Sequence, residues 1–345
     1  MAVVEVARFR RRAHVALFDA TTLAARGVKD HLASRAFPAA SVRLYSSTAE
    51  ADSNLTEFKG EPMLVTEPDI DTLANLDIAF LCGSREEGAR YLDWAGRVGF
   101  TAVDLTGAAA SGAAPLVNAS VNPEAISEGP GVIATPHPVA QLLSTVLAPV
   151  RSRCGLQEVV AVVLQPASQH GEPGIDELYK QTASLLSFSD MPREVFGRQL
   201  AFNVIPGFAG EERHGRDAGR ADLAEEVRRI TGGGFALGVQ VIQAPVFHGH
   251  ALMAHVVLDP GRSTDDLAAC FAGGDDFRFE RRGEKVTPVE RAGEGGILVG
   301  GIRPGARESS FWIWAVCDDL AGGTALNAVR IAEMLLGRDA GKGRA

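Results

Sequence analysis

The chain has 345 residues, 46% of them hydrophobic, more than one core comfortably holds, so two domains are expected. Its 43 acidic against 34 basic side chains give a formal net charge of -9, which argues against nucleic acid or an anionic membrane surface as a partner. No apolar run approaches the roughly 20 residues that span a bilayer, and the basic start through Arg8, Arg10, Arg11 and Arg12 leads into too short an apolar stretch for a signal peptide.

Ala13 to Phe18 is an apolar run, followed by Asp19-Ala20-Thr21-Thr22 and a helix through Leu32. That is the layout of the first strand, turn and helix of a dinucleotide fold, in which a glycine-rich turn admits a pyrophosphate to a helix N-terminus. Ser41 to Ser46, Asp77 to Gly83 and Thr101 to Leu105 read as further strands, with an amphipathic helix from Arg85 to Val98. Such alternation builds a parallel sheet. A loop of small residues, Thr106 to Ala114, follows. Val132 to Ala134 then ends in Thr135-Pro136-His137-Pro138, and Leu142, Leu143, Val146 and Leu147 resume at helical spacing: a strand, a loop and a buried helix. Pro138 suits the first helical turn, where its missing N–H has no intrahelical partner.

From Arg151 the character changes. Val159 to Leu164 is a strand rich in β-branched residues, leading to Gln165 and the loop Ser168-Gln169-His170-Gly171. Gly174 to Leu178 opens a helix with acidic residues in its first turn, Glu211 to Gly219 is a polar loop, and Ala221 to Ile230 is a helix. A strand from Ala236 to Val246 ends in Phe247-His248-Gly249-His250, and Glu284 to Arg307 reads as hairpins and loops at the edge of the domain. Phe311 to Val316 is an apolar strand for sheet core or dimer contact, Ala325 to Leu336 a helix, and Gly337 to Ala345 a frayed tail. The four cysteines, Cys82, Cys154, Cys270 and Cys317, are widely spaced among small or apolar residues, as in a reduced, cytoplasmic protein without a disulfide or structural zinc scaffold. The fold expected is α/β: a Rossmann-type parallel-sheet domain over 13–137, completed by 324–338, and an α+β mixed-sheet domain over 138–323.

The stretches GVIATPHPVAQLLSTVLAPV, QPASQHGEPGIDEL, AFNVIPGF, PVFHGHALMAHV and GGTALNAVRIAEMLLG resemble the aspartate-semialdehyde dehydrogenase family, in the family's order and from about Val15 to Leu336. The resemblance implies an NAD(P)-dependent oxidoreductase fold whose second domain dimerises. It places His250 on the family's general base, Gln165 on a glutamine that positions the reacting carbonyl, and Thr21, Ser168, Gly171 and Asn327 on cofactor-side positions. It also places Pro138 on the catalytic cysteine, and Asp19, Thr22 and Ala25 on the three glycines of the phosphate turn. Ala109, Asp222 and Gln243 fall on cationic substrate-binding positions, and Ala49, followed by Glu50, falls on the arginine that takes the 2′-phosphate of NADP.

These departures set the functional expectation. The parent reaction should be absent, NAD(P) binding weak or none with NAD preferred over NADP, and the chain should serve as a non-catalytic binding or partner subunit. Its partner would be a second copy in a homodimer or an active dehydrogenase paralogue. One alternative is an NAD(P)-dependent semialdehyde dehydrogenase-type oxidoreductase with an altered, uncharged substrate. A second is a metal site, with zinc as the ion, formed by His137, His170, His248 and His250 in the former pocket.

Overall fold

Ala13–Phe18 (β1) is buried along its length, and its side chains divide between two clusters, Val15 and Leu17 on one face, Ala16 and Phe18 on the other. A strand apolar on both faces needs cover on both. Ala25, Val28 and Leu32 of Leu23–Ser34 (α1) join the first cluster. These elements belong to a computed structural model that describes residues 12–47, 55–109, 112, 114–126, 131–207, 223–273, 275–282 and 285–339. The chain divides into unit 1, Met1–Pro136 with Thr324–Ala345, and unit 2, His137–Gly323.

In unit 1 the next strands are Ala39–Tyr45 (β2), Leu55–Phe58 (β3), Glu61–Thr66 (β4) and Ile78–Leu81 (β5). Arg85–Val98 (α2) follows, then Thr101–Asp104 (β6) and Val132–Ala134 (β7). Tyr91 and Ala95 of α2 cover the second face of β1. The helix starts with a Ser84/Glu87 capping box and stops at Gly99, whose φ of 90° ends it in the left-handed region. The described strands form a seven-stranded sheet in the order β3-β4-β2-β1-β5-β6-β7, parallel throughout except for β3 against β4. That antiparallel edge was not anticipated. Its sign was Lys59-Gly60, both at positive φ, which closes a two-residue hairpin between Phe58 and Glu61. Since β1 lies between β2 and β5, the strand order reverses beside it, and open α/β sheets hold ligands at the C-terminal strand ends of such a point.

Unit 2 runs Pro138–Cys154 (α3), Leu156–Gln165 (β8), Gly171–Ser187 (α4), Ile205–Gly207 (β9), Leu223–Thr231 (α5), Ala236–Gln243 (β10) and His250–Leu258 (β11). It continues through Thr264–Ala269 (α6), Phe277–Glu280 (β12), Pro288–Arg291 (α7), Ile297–Pro304 (β13) and Ser310–Cys317 (β14). Its described strands form a mixed seven-stranded sheet, β12-β13-β14-β11-β8-β10-β9. Val139, Leu142, Leu143, Val146 and Leu147 of α3 share a core with Val159 and Val163 of β8, Leu252 and Ala254 of β11 and Ile313 and Ala315 of β14. On the strand face away from that core, Val160 is 49% and Trp312 40% exposed. The chain ends in Gly323–Asp339 (α8), whose Ala328, Val329 and Ala332 share the core of unit 1 that holds Val15 and Leu17.

Three expectations are corrected. The segment 284–307 contributes β13 inside the sheet, between β12 and β14, because Ile297 and Val299 alternate inward. Strand β10 stops at Gln243 rather than Val246, and α4 starts at Gly171, whose φ of 73° turns the chain directly into the helix. The polar loop 211–219 and the start of the helix expected from Ala221 lie outside the described residues. No described helix is long and apolar enough to cross a membrane.

Candidate functional site

Gln165, Gln243 and His250 meet for a topological reason. Parallel β8 and β10 pair Gln165 with Gln243 at their C-terminal ends, and antiparallel β11 starts at the same edge with His250. Cys317 ends β14 opposite His250, and Asp318 and Asp319 follow it. All three expected residues are buried. Gln165 Nε2 donates to Gln243 Oε1 at 3.1 Å, while Gln243 Nε2 donates to the Gln165 carbonyl at 3.0 Å. His170 Nε2 also lies 3.1 Å from Gln243 Oε1, an acceptor, so in this arrangement that nitrogen carries the ring hydrogen. Two donors thus fill one carboxamide oxygen. A neutral carboxamide has neither the charge nor the fork with which an arginine grips a carboxylate.

Asp319 belongs to the same cluster, although sequence reading passed over it. Its carboxylate accepts from Ser168 Oγ and from the Gly249 N–H, both at 2.6 Å, and so ties the loop after β8 to the loop before β11. The available sign was an acidic pair directly after an apolar strand. Ser168 is therefore engaged, and Gly171 acts through its backbone turn.

Pro138 is the first residue of α3, after the N-cap His137. His137 Nδ1 accepts from the Val139 N–H at 3.1 Å, and the His137 N–H donates to the buried Glu226 carboxylate at 2.7 Å. Glu226 on α5 is a second residue the sequence did not reveal. Pro138 itself offers no nucleophile. The four cysteines are buried and form no disulfide. Cys317, the register partner of His250, has its thiol pushed up to about 12 by burial and by the carboxylates of Asp319 and Asp318. The thiolate is the reactive form, so Cys317 is not a ready nucleophile. Cys154 and Cys270, distant in sequence, have sulfurs 3.5 Å apart, and burial together with that contact pushes Cys270 up to about 12.

The expected histidine metal site is not formed. Among the described residues no group of three or more His, Cys, Asp or Glu side chains could hold a metal ion. His137 is turned to its own helix start, and His170 bonds Gln243 with its ring 5.2 Å from that of Phe196, so neither converges with His248 and His250 as a ligand set.

In unit 1, Thr21 is exposed, while Asn327 is buried and satisfied at both ends of its amide. Its Oδ1 accepts from the Ala119 N–H and its Nδ2 donates to the Val117 carbonyl, each at 2.8 Å, which clamps α8 to that loop. Ala109 presents a methyl group, and its N–H donates to the buried Asp104 at 2.8 Å. Ala49, Glu50 and Asp222 lie outside the described residues. Asp19 occupies the turn after β1 at φ 58°, with Oδ2 buried and without a hydrogen bond. Burial first, and then the charge of Glu87, push its carboxyl from 3.8 up to about 6. Thr22 caps α1, its Oγ1 accepting from the Ala25 N–H at 3.2 Å, so one amide a phosphate would use is already taken.

The comparisons with known proteins follow this division. A family model described as the semialdehyde dehydrogenase NAD binding domain matches residues 14–129, and one described as the semialdehyde dehydrogenase dimerisation domain matches residues 147–321. An aspartate-semialdehyde dehydrogenase of Rickettsia conorii is 27% identical, over 94% of this chain and 98% of that protein. A Pseudomonas aeruginosa protein named USG-1 protein homolog is 29% identical, over 94% of this chain and 97% of its own length. The crystal structure of aspartate semialdehyde dehydrogenase II from Vibrio cholerae matches with a TM-score of 0.86 at 28% identity, covering 95% of this chain and 99% of that one. With both units matched, the chain belongs to the semialdehyde dehydrogenase family, as a relative of the aspartate-semialdehyde dehydrogenases.

Proposed function

We propose that this chain keeps the dehydrogenase fold without the parent reaction and acts as a non-catalytic binding or partner subunit. The observation that carries the reading is Pro138 at the head of α3, with no reactive thiol at that helix N-terminus. The parent chemistry requires a thiolate, a base, hydride transfer to a nicotinamide and attack of phosphate on a thioester. Of these parts, the base position His250 and the positioning Gln165 are retained. The cationic positions carry Ala109, Asp222 and Gln243. NAD(P) binding is weak or absent on this reading, and NAD is preferred to NADP because Ala49-Glu50 offers no cation for a 2′-phosphate.

The exposed apolar residues Val160 and Trp312 on unit 2's sheet support a homodimer built through that face, and the same surface would receive an active dehydrogenase paralogue. Sedimentation showing a monomer at micromolar concentration would count against the dimer.

The deciding experiment is Pro138→Cys. A thiol at the N-terminus of a 17-residue helix should become reactive toward iodoacetamide, since the helix dipole stabilises thiolate. Turnover should not return. Each missing charged hydrogen bond is worth roughly 1.5 to 3 kcal/mol, and three, even partly additive, amount to several powers of ten in rate. The assay is alkylation alongside NAD(P)-dependent oxidation of aspartate semialdehyde with phosphate. Robust turnover by the wild type, or by Pro138→Cys alone, overturns the reading.

A further inference from the structure

Asp19 follows β1, Ser47 follows β2, Gly83 follows β5, and Glu87 lies in the first turn of α2, so all four gather at the C-terminal strand ends where the strand order of unit 1 reverses. Gly83 has no side chain, and the space a Cβ would take is filled: that position falls on Asp19 Oδ2 and within 2.7 Å of Glu87 Oε2. Two carboxyl groups thus converge over one backbone atom. Ser47 Oγ donates to Glu87 Oε1 and lies 3.3 Å from Asp19 Oδ1.

Ser47 has a single hydroxyl hydrogen, and while it serves Glu87, Asp19 Oδ1 keeps the Ser47 N–H, at 3.4 Å. The two carboxyls are held differently. Burial opposes ionisation of Glu87, but hydrogen bonds from Ser47 and from the Ser84 N–H and hydroxyl, at 2.9 and 2.8 Å, outweigh it and hold its carboxyl below the ordinary value. Asp19 is raised by burial and by Glu87, against the pull of Ser47 and of Arg90 on α2. Tyr91, also on α2, brings a buried hydroxyl whose ionisation burial and Asp19 both suppress.

A phosphate at this point would need unclaimed N–H groups and no competing negative charge. Instead it would meet Asp19 and Glu87, with Thr22 already on the Ala25 N–H. The residues present do not fit the phosphates of a dinucleotide.

We propose that Asp19, Ser47 and Glu87 form an internal plug over Gly83, standing where unit 1 would otherwise receive nucleotide phosphates, so that phosphate-bearing nucleotides bind only once the plug is dismantled. The inference rests on reading unit 1 as a nucleotide-type fold and is independent of the missing nucleophile in unit 2.

Titration calorimetry of the full chain with ADP-ribose and, separately, with adenosine tests it. The variants are Asp19→Gly combined with Glu87→Gln, and Asp19→Asn alone. The latter keeps the side chain's size and suits a positive φ, so it folds even if the double variant does not, as near-ultraviolet circular dichroism will show. Removing the plug should raise the affinity for ADP-ribose about tenfold or more and leave adenosine unchanged. Three results overturn the proposal: wild type binding ADP-ribose as tightly as the variants, folded variants with no gain, or equal gains for both probes. Turnover by Pro138→Cys would defeat the non-catalytic reading, whereas the ADP-ribose comparison alone decides the plug.

Discussion

At the sheet edge of unit 2, Gln165, Gln243 and His170 hydrogen-bond one another, whereas at the turn after β1 in unit 1, Asp19 and Glu87 bring two carboxyls to one glycine. Both places are filled by the chain's own side chains, with opposite consequences for stability. Buried amides that pair add to it, and a buried acid raised above its ordinary value subtracts from it at neutral pH. The difference separates two ways of packing polar groups at strand ends: unit 2 pairs amides with one another, and unit 1 tolerates a costly carboxyl held in place.

Removing one residue from each place should therefore move stability in opposite directions. Gln243→Ala takes away the acceptor shared by Gln165 and His170 and the donor to the Gln165 carbonyl, so it should destabilise by about 3 kcal/mol, less than the sum of three separate bonds. Urea unfolding at neutral pH measures it, and a loss under about 1 kcal/mol would mean the network carries no stability. Asp19→Asn should instead stabilise. Its carboxyl moves from 3.8 to about 6 on folding, so protonation favours the folded state and the cost of ionisation is absent below 3.8, grows as pH rises, and is complete above about 6. The variant should gain up to about 3 kcal/mol at neutral pH, fading to little near the lower limit. A gain independent of pH would show that Asp19 is not the titrating group.

Gly83→Ala asks whether the two carboxyls truly share the space over that residue. Its methyl would fall on Asp19 Oδ2, and overpacking there should cost about 1 to 2 kcal/mol. In an Asp19→Gly background most of that cost should disappear. Additivity of the two changes in unfolding experiments would place Asp19 elsewhere.

Much of the architecture was legible because burial leaves a period: β1 alternates between two covered faces, and α3 repeats apolar residues along one side. The β3–β4 hairpin was missed because exposed Leu55 and Leu64 break the expected inward pattern, and β13 because glycines dilute its apolar alternation. Of the candidate site, family resemblance singled out Gln165 and His250, which the fold brings to one sheet edge. Asp319 and Glu226 were not, because their partners lie 151 and 89 residues away and a carboxylate that accepts a distant N–H or hydroxyl leaves no local pattern. Glu87 could have been read as half of a capping box with Ser84, but its approach to Asp19 depends on two strands ending side by side.

The smallest effect expected is at Thr22, which separates the cap from the plug. Its Oγ1 accepts from the Ala25 N–H and can donate to the Cys82 carbonyl at 3.0 Å or to the Asp19 carbonyl at 3.1 Å, so it joins the start of α1 to the ends of β1 and β5. Thr22→Ala removes the N-cap and should cost about 1 kcal/mol. Thr22→Ser keeps the hydroxyl and should cost only a few tenths of a kcal/mol. Neither touches the carboxyls over Gly83, so neither should raise the affinity for ADP-ribose, although both make the turn smaller. If Thr22→Ala alone admitted the nucleotide, crowding at the helix start rather than Asp19 and Glu87 would be what closes unit 1.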